Sequence, residues 1–231
     1  MYMKLFLLLI ILIITILSLI LIIYQNIQDL KLIKTVTKLN RGTRTERLMV
    51  LKLLKAGVPK QTIFHDLYLK KTGNHYSQID LVVATKVGII VFEVKKYNGW
   101  IFGLANQTYW TQLLAYGRYR YKFYNPILQN KKHVEDLKKQ LPQFQNVPFY
   151  SMIVFFGDCT FKNLNYVPNG TFLVKSSRAI KIFNEIIEQN EPAKYNNKRE
   201  IVNLLMSAHV NGENEMIRKK HIENINRNYN F

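Results

Sequence analysis

The chain has 231 residues, 33 of them Lys or Arg against 15 Asp or Glu, for a formal charge of +18. That balance suits a polyanionic partner, nucleic acid or an acidic lipid surface, without choosing between them. A lone cysteine, Cys159, excludes an intramolecular disulfide, and the sequence has no C-x-x-C or H-E-x-x-H spacing, which argues against a structural zinc site and fits a reducing compartment.

Residues 5–23 form an apolar run interrupted only by Thr15 and Ser18. About 19 residues at ~1.5 Å rise span ~28 Å, close to the hydrocarbon thickness of a bilayer. The run exceeds a signal-peptide core and no small-residue cleavage site follows Ile23, so the expectation is a retained anchor over residues 4–24. Lys31, Lys34, Lys38, Arg41, Arg44 and Arg47 follow it against Lys4 before it, which places the remainder in the cytoplasm and near anionic head groups. Residues 25–40 read as a juxtamembrane linker or helical continuation.

After Gly42, Thr43 caps an expected helix that closes near residues 57–59. Glu46 falls on its apolar face with Val50, Leu53 and Leu54, either as a first-turn acid favoured by the helix dipole or as a functional carboxylate. A strand over 62–69 and a turn at 72–74 come next, with His75 a turn residue and Gln78 sharing a face with Asp80.

Residues 79–84 and 89–96 are β-branched, apolar runs joined by a turn at 85–88, the pattern of a buried hairpin. Side chains two apart on a strand share a face, so Glu93 and Lys95 point together, and Asp80 reaches the same end of the hairpin. Burying these charges is costly unless they pair or meet an ion. Two converging carboxylates make a hard-oxygen site for Mg²⁺ or Mn²⁺, and a neighbouring lysine can hold a water and neutralise an oxyanion, as phosphodiester chemistry requires. A buried Glu93–Lys95 ion pair is the structural alternative.

Short strands are expected at 98–103 and 109–113. The run 118–124 alternates cation and aromatic, setting Arg118, Arg120 and Lys122 on one face as a candidate phosphate-contacting edge backed by an apolar one. Asn125-Pro126 starts a helix with Gln129, His133 and Asp136 on one stripe, and Lys131 and Lys132 outward. A buried strand at 148–156, a short strand at 171–174 and a helix to about residue 189 capped by Ser176 or Ser177 follow. An amphipathic helix over 196–210 precedes a basic, Asn-rich tail.

Asp80, a spacer and Glu93-Val94-Lys95 resemble the D…(D/E)-x-K signature of the PD-(D/E)XK nucleases. With Gly42-Thr43-Arg44-Thr45-Glu46, Tyr97-Asn98-Gly99-Trp100, Tyr109-Trp110 and Asn125-Pro126 followed by Gln129 and Asn130, the chain is similar more narrowly to the NERD (nuclease-related) domain over roughly residues 42–141. Thr45 stands where the pattern has a second glycine. The resemblance implies an α/β, restriction-endonuclease-like fold, a central mixed sheet flanked by helices and preceded here by one transmembrane helix. It implies Asp80, Glu93 and the Val94 carbonyl as ligands of Mg²⁺ or Mn²⁺, Lys95 as the group that positions water, and Glu46 and Gln129 as supports. The expected division is an anchor at 4–24, a linker at 25–40, a nuclease domain at 41–190 and a helical extension at 191–231. The expected function is cleavage of DNA at the membrane; the alternative is a non-catalytic, membrane-tethered DNA-binding or protein-interaction module.

Overall fold

The computed structural model describes residues 2–73, 75–164 and 167–229. Helix α1, Tyr2–Lys34, is continuous for 33 residues, about 50 Å. Among the described residues nothing covers its apolar window, and it is long and apolar enough to cross a membrane. At its far end Ile33 is buried, Val36 just beyond it packs on the main core, and Asp29 pairs with Lys55 at 2.7 Å. Helix α2, Arg44–Lys55, starts where expected: the Thr43 hydroxyl accepts from the Glu46 amide at 3.2 Å and donates to Glu46 Oε1 at 2.7 Å.

The strands β1 (Ile63–Lys70), β2 (Tyr76–Thr85), β3 (Gly88–Lys96), β7 (Phe149–Phe156) and β9 (Thr171–Lys175) form a five-stranded mixed sheet in the order β1-β2-β3-β7-β9. The β1/β2 and β2/β3 pairs are antiparallel, and β3/β7 and β7/β9 are parallel. Helices α2 and α4 (Ala179–Gln189) cover one face through Met49, Val50, Leu53, Phe183 and Ile186. Helices α3 (Pro126–Lys138) and α5 (Lys198–Asn211) cover the other through Leu137, Ile201, Leu205 and Ala208. Helix α6, Glu215–Tyr229, ends the described chain. The central mixed sheet flanked by helices is the architecture anticipated from the sequence.

Strands β4 (Gly99–Phe102), β5 (Tyr109–Leu114), β6 (Tyr119–Tyr124) and β8 (Cys159–Lys162) build a second sheet, in the order β6-β5-β4-β8. Its inner face packs Ile101, Trp110 and Cys159 on Ile153 and Phe155 of β7. Strand β8 is too short and too mixed to announce itself in the sequence. The expectation of an apolar backing to β6 is corrected: Tyr119 and Tyr121 are about half exposed, and Phe123 alone reaches the core, stacked on Tyr97. The Ser176 or Ser177 cap is corrected too, because α4 begins after Arg178 with no side-chain cap.

The feature that places the site is a fork. The β2–β3 ladder ends at Leu81↔Phe92; beyond it β2 stays paired with β1, while β3 stays paired with β7 through Lys96↔Phe156. Residues past the divergence therefore face a gap with backbone groups and side chains available.

Candidate active site

One register step beyond Leu81↔Phe92 sets Asp80 across from Glu93, where the strands part. The Val94 amide, released from the ladder, donates to Asp80 Oδ2 at 2.8 Å. Period-two alternation on β3 brings Lys95 beside Glu93, with Nζ 2.6 Å from Oε1, and Gln129 on α3 accepts from Lys95 Nζ at 3.1 Å. Helix α3 reaches this point because Asn125 caps it through the Ile127 amide and Asn130 anchors it to the Val91 carbonyl at 2.8 Å. Asp80, Glu93, Lys95 and Gln129 thus meet at one place, and the Val94 peptide lies between the two carboxylates.

The electrostatics are those of a site short of positive charge. Burial pushes the Asp80 carboxyl well above the usual range, and Glu93 and then Glu46 push the same way against Lys95 and the Val94 amide. Lys95 is held above its ordinary value by Glu93 and Asp80 despite the opposing effect of burial. Glu93 is fully buried, and neither of its oxygens has a well-formed hydrogen bond, although Lys95 and His133 stand 2.6 and 3.4 Å away. Two carboxylates facing each other across the fork, with one ammonium between them and solvent, fit a further cation. Among the described residues no group of three or more His, Cys, Asp or Glu clusters as metal ligands, so a cation here would rest on two carboxylates, backbone and water, a set that suits Mg²⁺.

Glu46 comes close enough to act on Asp80 but faces His65 on β1, Oε2 to Nε2 3.4 Å. Although burial disfavours its charge, the hydrogen bonds from His65 and Thr43 leave it below its ordinary value, so it stays ionised. Gly42 makes room for this pair: its φ is +56°, and a Cβ there would collide with Glu46 Oε2 and His65.

Three features went unread in the sequence. His133, placed beside Gln129 but given no bond, reaches Glu93, and its Nδ1 lies 3.2 Å from Ser77 Oγ. Asp66 takes φ +53° in mid-strand, opposite Asp80 by the β1–β2 register, and its carboxylate is held by Arg41 at 3.3 Å and Gln78 at 3.0 Å. Arg41 is therefore buried at 1% exposure rather than lying at a membrane surface. The polar pair His65-Asp66 inside an apolar strand was the available signal. Among the expected nucleic-acid contacts, Arg118, Arg120, Lys122, Lys131 and Lys132 are all exposed. A cleft of about 720 Å³ opens beside the fork, walled in part by Gln78, Tyr124, Gln129, Lys132 and His133.

The family model for the nuclease-related domain, NERD, matches residues 41–156, which carry every residue of the fork. The chain belongs to the NERD family. An uncharacterized protein of Bacillus anthracis is 30% identical over 125 residues, covering 54% of this chain and 57% of that relative. The chain thus spans little more than half the length of that relative. No solved structure matches the chain.

Proposed function

We propose that this NERD protein is a membrane-anchored, cytoplasm-facing, divalent-metal-dependent nuclease that hydrolyses DNA phosphodiester bonds. The observation that carries the reading is the fully buried Glu93 carboxylate, ion-paired to Lys95 and set across from Asp80 at the fork. Asp80, Glu93 and the Val94 carbonyl would hold Mg²⁺ or Mn²⁺, which when bound supplies Lewis-acid polarisation of the scissile phosphate and a more acidic water.

The chain's own groups would do the rest. Lys95, fixed between Glu93 and Gln129, positions the attacking water and stabilises negative charge on the phosphorane. Gln129 keeps the ammonium aimed through its Oε1, and its amide hydrogens, which bond nothing among the described residues, can meet a phosphate oxygen. Glu46 adds negative potential that favours the cation. Lys131 and Lys132 on α3, with Arg118, Arg120 and Lys122 at the edge of the second sheet, would hold the DNA backbone. Helix α1 would anchor the chain in lipid, with the excess of flanking cations after it keeping the domain cytoplasmic.

The test uses the full chain in detergent with supercoiled and linear DNA. Wild type cuts with Mg²⁺ or Mn²⁺, whereas Asp80→Ala and Lys95→Ala retain DNA binding and lose cutting by at least about a hundredfold. Salt-dependent binding with no cutting by any version would instead support a non-catalytic tether.

A further inference from the structure

The outer face of the second sheet is unlike an ordinary solvated one. Alternation turns Ile101, Trp110 and Cys159 inward and leaves Trp100, Tyr109, Tyr124, Arg120, Lys122 and Lys162 outward, each of these six exposed. Register aligns them in rows: Trp100 across Leu113 from Arg120, then Lys162 and Lys122 flanking Phe102 and Thr111, then Tyr109 beside Tyr124. Lys162 lies 5.7 Å over the Trp100 ring, and Tyr109 and Tyr124 meet edge to face at 6.1 Å. No Asp or Glu occurs from Val94 to Val134, so the three cations on this face have no acidic partner in strands β4, β5 and β6. At the β5–β6 tip, Ala115 and Tyr116 both take positive φ, which presents the Tyr116 ring, 95% exposed, against the edge of Trp100.

Aromatic faces interleaved with cations that pair with no acid among the described residues are what unpaired bases and their phosphates require; a duplex hides its base faces in the stack. The last row also meets the cleft beside the fork, because Tyr124 lines the same cavity as Gln129 and His133. We propose that this sheet face is a stacking platform for single-stranded nucleic acid, which delivers the strand past Tyr124 to the fork. The proposal rests on the nuclease reading for its purpose but not for its test.

That test uses the full chain in phosphatidylcholine nanodiscs, carrying Asp80→Ala so that binding is read without cutting. The chain has two tryptophans, and Trp110 is 1% exposed against 36% for Trp100, so fluorescence quenching by an added base reports Trp100. Oligothymidylate should quench the emission, and the quench should vanish with Trp100→Phe. Tyr109→Ala should weaken binding about tenfold. Lys122→Ala should weaken it for every sequence and reduce the salt slope by about one. Unchanged affinity in all three variants, a preference for duplex over single strand, or quenching by phosphatidylserine vesicles but not by oligonucleotide would each overturn the platform. Cleavage by the wild-type chain is scored separately: quenching without any cleavage would sink the nuclease reading and leave the platform standing.

Discussion

Asp80 sits where its charge is disfavoured by burial and by two neighbouring acids, so removing that charge relieves the metal-free protein. Asp80→Asn keeps an oxygen to accept from the Val94 amide. In a chelator it should melt at or above wild type, by about 2–4 °C for a gain on the order of 1 kcal/mol; a clear drop by scanning calorimetry would mean that the carboxylate is a structural strut. Gly42 tests the neighbouring pair. Gly42→Ala puts a Cβ into Glu46 and His65 at a positive φ, and should cost about 1–3 kcal/mol in urea unfolding and shift the metal dependence of cutting. At this scale the sequence was informative wherever local period sufficed: Glu93 and Lys95 share a face because strands repeat every two residues, and one turn returns Asp80 to them. Arg41 and Asp66 were illegible because their pairing depends on a left-handed residue in mid-strand and on chain segments brought together only by folding.

Among the elements, α5 is locked to β1 by a half-buried histidine. His209 Nδ1 lies 2.9 Å from the His65 carbonyl and Nε2 lies 3.3 Å from Arg41 Nη1, so a neutral ring donates to the first and accepts from the second. Burial, then Arg41, lower its affinity for a proton below the ordinary value of 6.5, with the bond to the His65 carbonyl and, more weakly, Glu213 pulling the other way. The unfolded chain therefore takes up this proton first as pH falls. The stability that the neutral ring contributes is complete above about pH 6.5 and is lost as pH drops through the lowered value. Melting temperature should fall more steeply with acid in wild type than in His209→Gln; parallel curves would remove His209 from the account. Helices α2, α3 and α5 were legible because caps and apolar stripes are local signals. The second sheet was not recognised as a unit: its strands are four to six residues long, and β8 joins β4 only across a long stretch of chain.

For the whole molecule, α1 passes without a break from its apolar window to the Asp29–Lys55 pair with α2, a stiff connection between that helix and the NERD domain. If it anchors the chain, alkaline carbonate and high salt should leave the protein in the membrane pellet, and deletion of residues 2–24 should release it; extraction of the intact chain by salt alone would reduce the attachment to surface charge. The excess of cations after the helix made this reading available from sequence, whereas the removal of Arg41 from that surface set into a buried pair was visible only in the fold. Whether Asp80 and Glu93 form a cation site that drives hydrolysis is decided by titrating Mg²⁺ into one wild-type sample and reading both melting temperature and DNA cleavage, beside Asp80→Asn. Both responses should reach half-saturation at the same Mg²⁺ concentration, and both should disappear in the variant. Cleavage that survives in Asp80→Asn, or a stabilisation by Mg²⁺ with no cleavage at any concentration, would contradict such a site.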